Sequence, residues 1–484
     1  MRLPPVSTTS AAHRRSPREA RQEPAHYPWW LADAGPTASR SPLVGEVGAD
    51  VVIVGGGFTG LWTALAIKQR SPGTHVVLLE AATCGWAASG RNGGSVNGYW
   101  STWSKLPDLV GPEPAEEMAM LGSEAQAEIR HFCDQSDTDT GLNEAGFAMV
   151  ATSAAQEDAV TSVLHSTRNV PEAYRPRHLD DAELWRMTRN PSIARGILFP
   201  EGATLQPALL VRALVNACEE HGVVIHETSP VTDIDRARSV VVTETGRVHA
   251  REIVLATNAW LSALDPIARH TTNLSSHVAV TEPLPDVVSR LDWPQGRMVR
   301  DARMFLHWIR TTPDDRFVVG TGAGPLSHGG RVTRAHTHHR PSTRRVTEAL
   351  AAFVPEAAHA RIDAAWGGSI DMSSDSCPYF ATLQGTRIHY GTGYSGHGVN
   401  AAWIGGQVLA SLALGRQDRW TRSAFCTRRR PVFPPEPLRY LGGAAVRRHT
   451  IALEDAADRG ETPSPLTRVV AALPRLLGIR VGTR

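Results

Sequence analysis

The sequence predicts an α/β protein of two domains: a discontinuous, Rossmann-like unit, and an interleaved domain built on a large mixed or antiparallel sheet. Three observations predict it. A strand–turn–helix–strand pattern occupies residues 48–82, alternating apolar stretches fill 265–365, and three glycine clusters lie far apart at 55–60, 85–94 and 391–398. If all three clusters meet one ligand, the unit that carries them is interrupted by the sheet-bearing segment.

The first pattern is a complete βαβ unit. Val51-Val52-Ile53-Val54 is a short apolar run of the kind buried on both faces of a parallel sheet. It leads into Gly55-Gly56-Gly57-Phe58-Thr59-Gly60. Gly55 permits the tight turn, Gly57 has no Cβ to keep a pyrophosphate from the backbone, and Gly60 lets the helix pack close to the strand. The helix carries Leu61, Ala64, Leu65 and Lys68 on one face. Its N-terminus offers unpaired N–H groups and partial positive charge to phosphates. A second apolar run, His75 to Leu79, ends in Glu80, twenty positions after Gly60, where a carboxylate can accept from ribose hydroxyls. Together these make a Rossmann-like dinucleotide site.

Further along, Cys84 to Gly94 is too glycine-rich for a regular element, and helical patterns run through 112–135. Strand-like Gly146 to Thr152, a helix from Gln206 to His221, strand-like Val223 to Glu227 and a hairpin around Thr245-Gly246 follow. Ile253 to Ala259 reads as a buried strand running into a turn. Val278-Ala-Val-Thr, Phe305-Leu-His-Trp-Ile and Phe317-Val-Val-Gly alternate with period two, which predicts an antiparallel sheet with one covered face. Gly391 to Gly398 then opens a long helical pattern, Val399 to Leu414.

Bulk properties exclude several classes. A net charge of +2 gives no reason for nucleic-acid binding, and Lys68 and Lys105 are the only lysines among many arginines. Five scattered cysteines, odd in number and without C-x-x-C spacing, fit neither a disulfide framework nor a zinc site, and suit a reducing cytoplasm. No stretch approaches the ~20 apolar residues that span a bilayer. The first 27 residues, rich in Ser, Arg, Pro and Ala, read as a disordered basic tail. His336-x-His338-His339 reads as a surface loop, and no metal site is expected.

In order along the chain, Gly55–Gly60 with Glu80, then Gly85-Trp-Ala-Ala-Ser-Gly-Arg-Asn-Gly-Gly94, Leu255-Ala-Thr-Asn-Ala259 and Gly393-Tyr-Ser-Gly-His-Gly398 resemble the D-amino-acid-oxidase-type superfamily of FAD-dependent oxidoreductases. Within it the resemblance is to the subgroup containing gamma-glutamylputrescine oxidase, with glycine oxidase and sarcosine oxidase as cousins. It covers residues 28–440. It implies an FAD-binding domain from 28–110, 195–264 and 365–420, a substrate domain from 111–194 and 265–364, and a carboxyl-terminal extension, 421–484.

The resemblance implies extended, non-covalent FAD. Gly55, Gly57, Phe58, Thr59 and Gly60 would meet the pyrophosphate, Glu80 the ribose, and Val231 the adenine. Ala88, Ser89, Gly90, Arg91, Asn92 and Gly93 would run along the phosphate–flavin side, with Thr257 and Asn258 beneath the cofactor. Gly396, His397 and Gly398 would place a helix N-terminus at the pyrimidine end of the flavin, where reduced flavin is negative. It further implies oxidation of a C–N bond in a small amine or amino acid, with oxygen or another electron acceptor completing turnover. His397, His307, Arg310 and Tyr379 are the candidates for catalysis, with Trp308 nearby.

Departures from the relatives bear on substrate and acceptor. Asn400 stands where sarcosine-oxidase-like members pair a lysine with the substrate carboxylate, leaving Arg91, Arg303 or Arg310 to substitute. Neither lysine falls where relatives hold one over the flavin, and Gly368 stands where a tethering cysteine would. A flavin monooxygenase would need a second nucleotide motif, and a halogenase W-x-W-x-I-P; neither is present. A non-catalytic FAD-bearing electron carrier is the alternative of a different class.

Overall fold

A computed structural model describes residues 26–476 together with Met1 and Ile479. The expected disordered tail lies outside the described residues except at Met1, His26 and Tyr27.

The chain forms two large sheets. In the first, the order is Tyr379–Thr382, Ile388–Thr392, Gly246–Leu255, Gly45–Val54, Val76–Leu79 and Val224–His226. The last five of these run parallel, with Val51 opposite Val76 and Val54 opposite Leu255. Val51 to Val54 and Val76 to Leu79 are buried without alternation, because layers cover both faces. Helices Phe58–Arg70, Pro207–Glu220 and Gly398–Ala413 pack together over one of them. Gly406 is what lets two of these helices touch: a Cβ there would sit 2.5 Å from the Trp62 Cβ.

The second sheet runs Ile362–Ser373, Thr271–Thr281, Phe317–Thr321, His307–Thr311, Met298–Arg300, Phe147–Val150, Gly196–Phe199 and Arg177–Leu179. Its pairs are antiparallel except Met298–Arg300 against Phe147–Val150, so the sheet is mixed. Strand alternation divides its side chains. Ala279, Val299, Ile309, Val319 and Ala365 meet the helix Arg340–Phe353. Val278, Met298 and Trp308 belong to a separate cluster on the opposite face.

Two segments cross the domain boundaries implied by the resemblance. Helix Pro112–Gln135 turns Met118, Leu121, Ala125 and Ile129 into the core of the first sheet. Gly196–Phe199 is a strand of the second. The extension adds helices Leu438–Asp458 and Pro465–Leu476, which pack on each other. No described helix is long and apolar enough to cross a membrane.

Candidate functional site

The glycine turn is held by atoms that leave no room for side chains. Gly55 has φ +114°, and a Cβ there would lie 2.6 Å from the Ala256 carbonyl oxygen. One at Gly60 would overlap the Gly55 carbonyl oxygen. At Gly57 the space is bounded by the Ser89 hydroxyl, 2.8 Å from a notional Cβ, and that hydroxyl accepts from the Phe58 N–H at 2.9 Å. Ser89 thus ties the second glycine cluster to the helix N-terminus. Glu80 accepts from the N–H groups of Gly56 and Ala82, at 2.8 and 2.9 Å. Burial lifts its carboxyl above the usual range, against the pull of those two donors. The loop at 228–229 bonds back to the Glu80 and Ala82 carbonyls, and Val231 follows it, half-buried.

The 85–94 loop is braced from within and without. Asn92 donates to the Ala88 and Ser89 carbonyls and accepts from the Gly94 N–H. Gly90 packs against Leu31, and a Cβ on Gly93 would strike the Trp308 ring at 2.8 Å. Arg91 lies over Trp86, donates to its carbonyl at 2.8 Å, and reaches Gly367; burial lowers it to about 10. Trp366 donates to the Arg91 carbonyl, so this loop is pinned to the second sheet. Beneath Gly55, the buried Thr257 hydroxyl oxygen and Asn258 side-chain amide oxygen have no hydrogen-bond partner among the described residues. Asn258 has φ +47°.

The third cluster hangs from one carboxylate. Asp371, fully buried on Ile362–Ser373, accepts from the Thr392 hydroxyl at 2.9 Å and from the Gly393 and Tyr394 N–H groups at 2.5 and 3.2 Å. Burial raises it to about 7 despite these donors. The Tyr394 hydroxyl lies 2.7 Å from that of Thr59. His397 is the N-cap residue of Gly398–Ala413. Burial, followed by the nearby cations of Arg300 and Lys105, lowers its imidazole to about 4, so it is neutral at neutral pH.

These parts enclose one cavity of about 260 Å³. Phe58, Thr59, Ala88, Ser89, Arg91, Asn92, Gly93, Asn258, Gly396, His397 and Gly398 line it from the first sheet's side, and Gly368 joins them beside Arg91. Phe147, Val278, Met298, Arg300 and Trp308 line it from the second. The small residues, the helix N-terminus and the unpartnered polar oxygens fit a flat, polar-edged cofactor.

Of the four candidates for catalysis, the structure brings only His397 to this cavity. His307 lies on the other face of its strand from Trp308, with Nδ1 2.8 Å from Asp301. Arg310 is spent on the Gly93 and Leu205 carbonyls, at 3.0 and 2.9 Å, over the Trp30 ring. Tyr379 is buried in the first sheet's core under Arg430. Asn400 also points elsewhere, donating to the Gly122 carbonyl. Lys105 lines a small annex next to His397. The histidine run splits: His336 is buried and accepts from the Thr333 N–H, and His339 caps Arg340–Phe353.

Sequence reasoning missed Arg300 and Asp371. Arg300 is a buried cavity-lining cation over the Phe147 ring, and nothing in its local pattern separates it from the other arginines. Asp371 carried a signal, a charged residue inside an alternating strand.

The model of the FAD dependent oxidoreductase family, DAO, matches residues 50–412. The chain belongs to the DAO family of FAD-dependent oxidoreductases. Among sequence relatives, this DAO-family chain is similar to the gamma-glutamylputrescine oxidoreductase of Escherichia coli, 28% identical over 81% of this chain and 90% of the relative. It is similar to the probable oxidoreductase OrdL of Haemophilus influenzae, again 28% identical, over 78% and 86%. Among solved structures, glycine oxidase from Geobacillus kaustophilus matches 79% of this chain and 99% of its own, with TM-score 0.64 and 20% identity. The fold is therefore that of the glycine oxidase type.

Proposed function

We propose that this DAO-family protein oxidises a C–N bond of a small amine or amino acid, with non-covalently held FAD. The observation that carries the reading is the shared cavity, with nucleotide-type loops on one side and a substrate-type sheet face on the other. The names of its relatives, gamma-glutamylputrescine oxidoreductase and glycine oxidase, support the amine or amino-acid class.

In this reading Gly55, Gly57, Phe58, Thr59 and Gly60 hold the pyrophosphate, Glu80 the ribose and Val231 the adenine. Ala88 to Gly93, Thr257, Asn258, Gly396 and Gly398 hold the flavin side. When bound, FAD supplies the acceptor for hydride from the carbon next to nitrogen, leaving an imine that water hydrolyses to a carbonyl compound. Phe147, Val278, Met298 and Trp308 exclude water and fix the apolar part of the donor. Arg300 and the surrounding burial favour the neutral amine, the form whose lone pair can assist. His397, itself neutral, offers hydrogen bonding without a second full charge. Gly368, which lines the cavity where the resemblance would put a tethering cysteine, supports an untethered cofactor. Oxygen or another acceptor completes turnover, and free, scattered cysteines suit a cytoplasmic setting.

The test is anaerobic mixing of the FAD-loaded protein with a panel of amines and amino acids. At least one should bleach the flavin, and acid precipitation should release all of the yellow colour. A flavin reducible by dithionite but by no amine would favour an electron carrier instead.

A further inference from the structure

The family match ends at residue 412, yet the helix Leu438–Asp458 reaches back to the substrate side of the cavity. Its last turns carry Glu454, Asp455 and Asp458. Glu454 accepts from the Met304 N–H at 2.6 Å. Asp455 accepts from Arg303 at 2.8 Å and from Arg345 at 2.7 and 2.9 Å. Asp458 pairs with Arg303, accepts from Ser153, and takes the Gln156 amide N–H at 3.1 Å. Gln156 in turn accepts from the Ala302 N–H at 3.0 Å, and Asp301 receives the N–H groups of Arg303 and His307.

What these bonds hold is a wall of the cavity. Arg300, Met304, Phe305 and Leu306 all line it, and between them lie the anchored residues Asp301, Ala302 and Arg303. Higher on the same helix, Ile451 packs with Phe305 and Leu274, and Arg447 donates to the Ala323 carbonyl at 2.9 Å. Three carboxylates near a helix C-terminus run against its dipole, so helix stability does not account for their placement there. Their partners do. Burial opposes ionisation of Asp455, but the bonds from Arg345 and Arg303 bring it down to about 2, so Asp455 stays charged at ordinary pH.

We propose that Glu454, Asp455 and Asp458 are positioning residues for substrate: through them the carboxyl-terminal helix sets the place of the Arg300–Leu306 wall. The extension is then part of the substrate site, although it lies beyond the matched family region. This rests on the reading that the cavity receives the amine or amino acid.

The test uses FAD-loaded full-length protein. Glu454→Ala removes the acceptor for Met304, and Glu454→Gln restores one without the charge. Asp455→Asn with Asp458→Asn weakens the grip on Arg303 independently, should the alanine variant fold poorly. Hydrogen exchange over 300–306 should quicken in Glu454→Ala and return towards wild type in Glu454→Gln. Anaerobic flavin reduction by an amine that reduces the wild type should show half-saturation raised roughly five-fold or more, with the limiting rate changed less than about two-fold and FAD retained. Faster exchange with unchanged half-saturation would make the helix merely structural and overturn the proposal, as would unchanged exchange. If no amine reduces even the wild type, the functional reading has failed separately. Sulfite bleaching of the flavin then decides whether the clamp shapes the cavity: equal sulfite affinity in all variants overturns it.

Discussion

Across the cavity, the loops at 55–60, 88–93 and 396–398 meet the ligand space largely with backbone and small side chains, Phe58, Arg91, Asn92 and His397 apart, whereas the second sheet meets it with Phe147, Met298, Arg300 and Trp308. The two walls tolerate change differently. On the first, a single added Cβ runs into a neighbour, whether Ser89 at Gly57, the Gly55 carbonyl at Gly60, or Trp308 at Gly93. On the second, side chains can be exchanged while the ladder of backbone hydrogen bonds stays intact. Under the proposed function, the backbone wall would fix one cofactor and the side-chain wall could be retuned for different substrates.

The largest expected effect breaks that contrast most directly. Gly57→Val puts a branched side chain against Ser89 at the N-terminus of Phe58–Arg70. Purified protein should be colourless, with far-ultraviolet circular dichroism close to wild type. Met298→Ala, on the other wall, should stay yellow while its rate of reduction by amines changes. Full FAD occupancy in Gly57→Val, or loss of FAD in Met298→Ala, would show that the walls do not divide the work in this way.

A smaller effect is expected at Asp371, which joins the walls by holding the 392–395 loop from a strand of the second sheet. Burial raises its folded value from 3.8 to about 7, so the folded protein holds this proton more tightly than the unfolded chain does. Its contribution to stability is complete below 3.8 and is lost as pH rises through about 7. Asp371→Asn cannot ionise, so the urea midpoint of its apoprotein should fall less than that of the wild type across this window. Parallel profiles would place the pH dependence elsewhere.

The contrast between walls also explains what the sequence made legible. Gly55, Gly60 and Glu80 could be read because the turn needs particular residues at fixed offsets, and the parallel sheet followed from unbroken apolar runs. The second sheet could be read as a sheet from its alternation, but not which face its residues would present. His307 and Trp308 are neighbours in sequence and lie on opposite faces, and only Trp308 reaches the cavity. Arg310 shares the Trp308 face yet is captured by the Gly93 and Leu205 carbonyls. Arg300 was hidden among many arginines. Tertiary partners decide these cases, and no local pattern encodes them.

The subtlest test concerns His397, a titratable side chain of the backbone wall at the helix opening. Burial with Arg300 and Lys105 brings it from 6.5 to about 4, so its neutral form contributes fully above 6.5 and that contribution is lost as pH falls towards 4. A neutral imidazole adds a dipole to the field of the helix N-terminus, not a full charge. His397→Ala should therefore lower the flavin reduction potential modestly and slow reduction by substrate, with FAD still bound through the 55–60 turn. The difference in potential from wild type should stay constant across neutral pH, because the imidazole does not titrate there. An inflection in that difference near neutrality would mean that the reduced cofactor draws a proton onto His397. A difference of zero would leave the helix terminus alone as the source of the field, with the His397 side chain adding nothing to it.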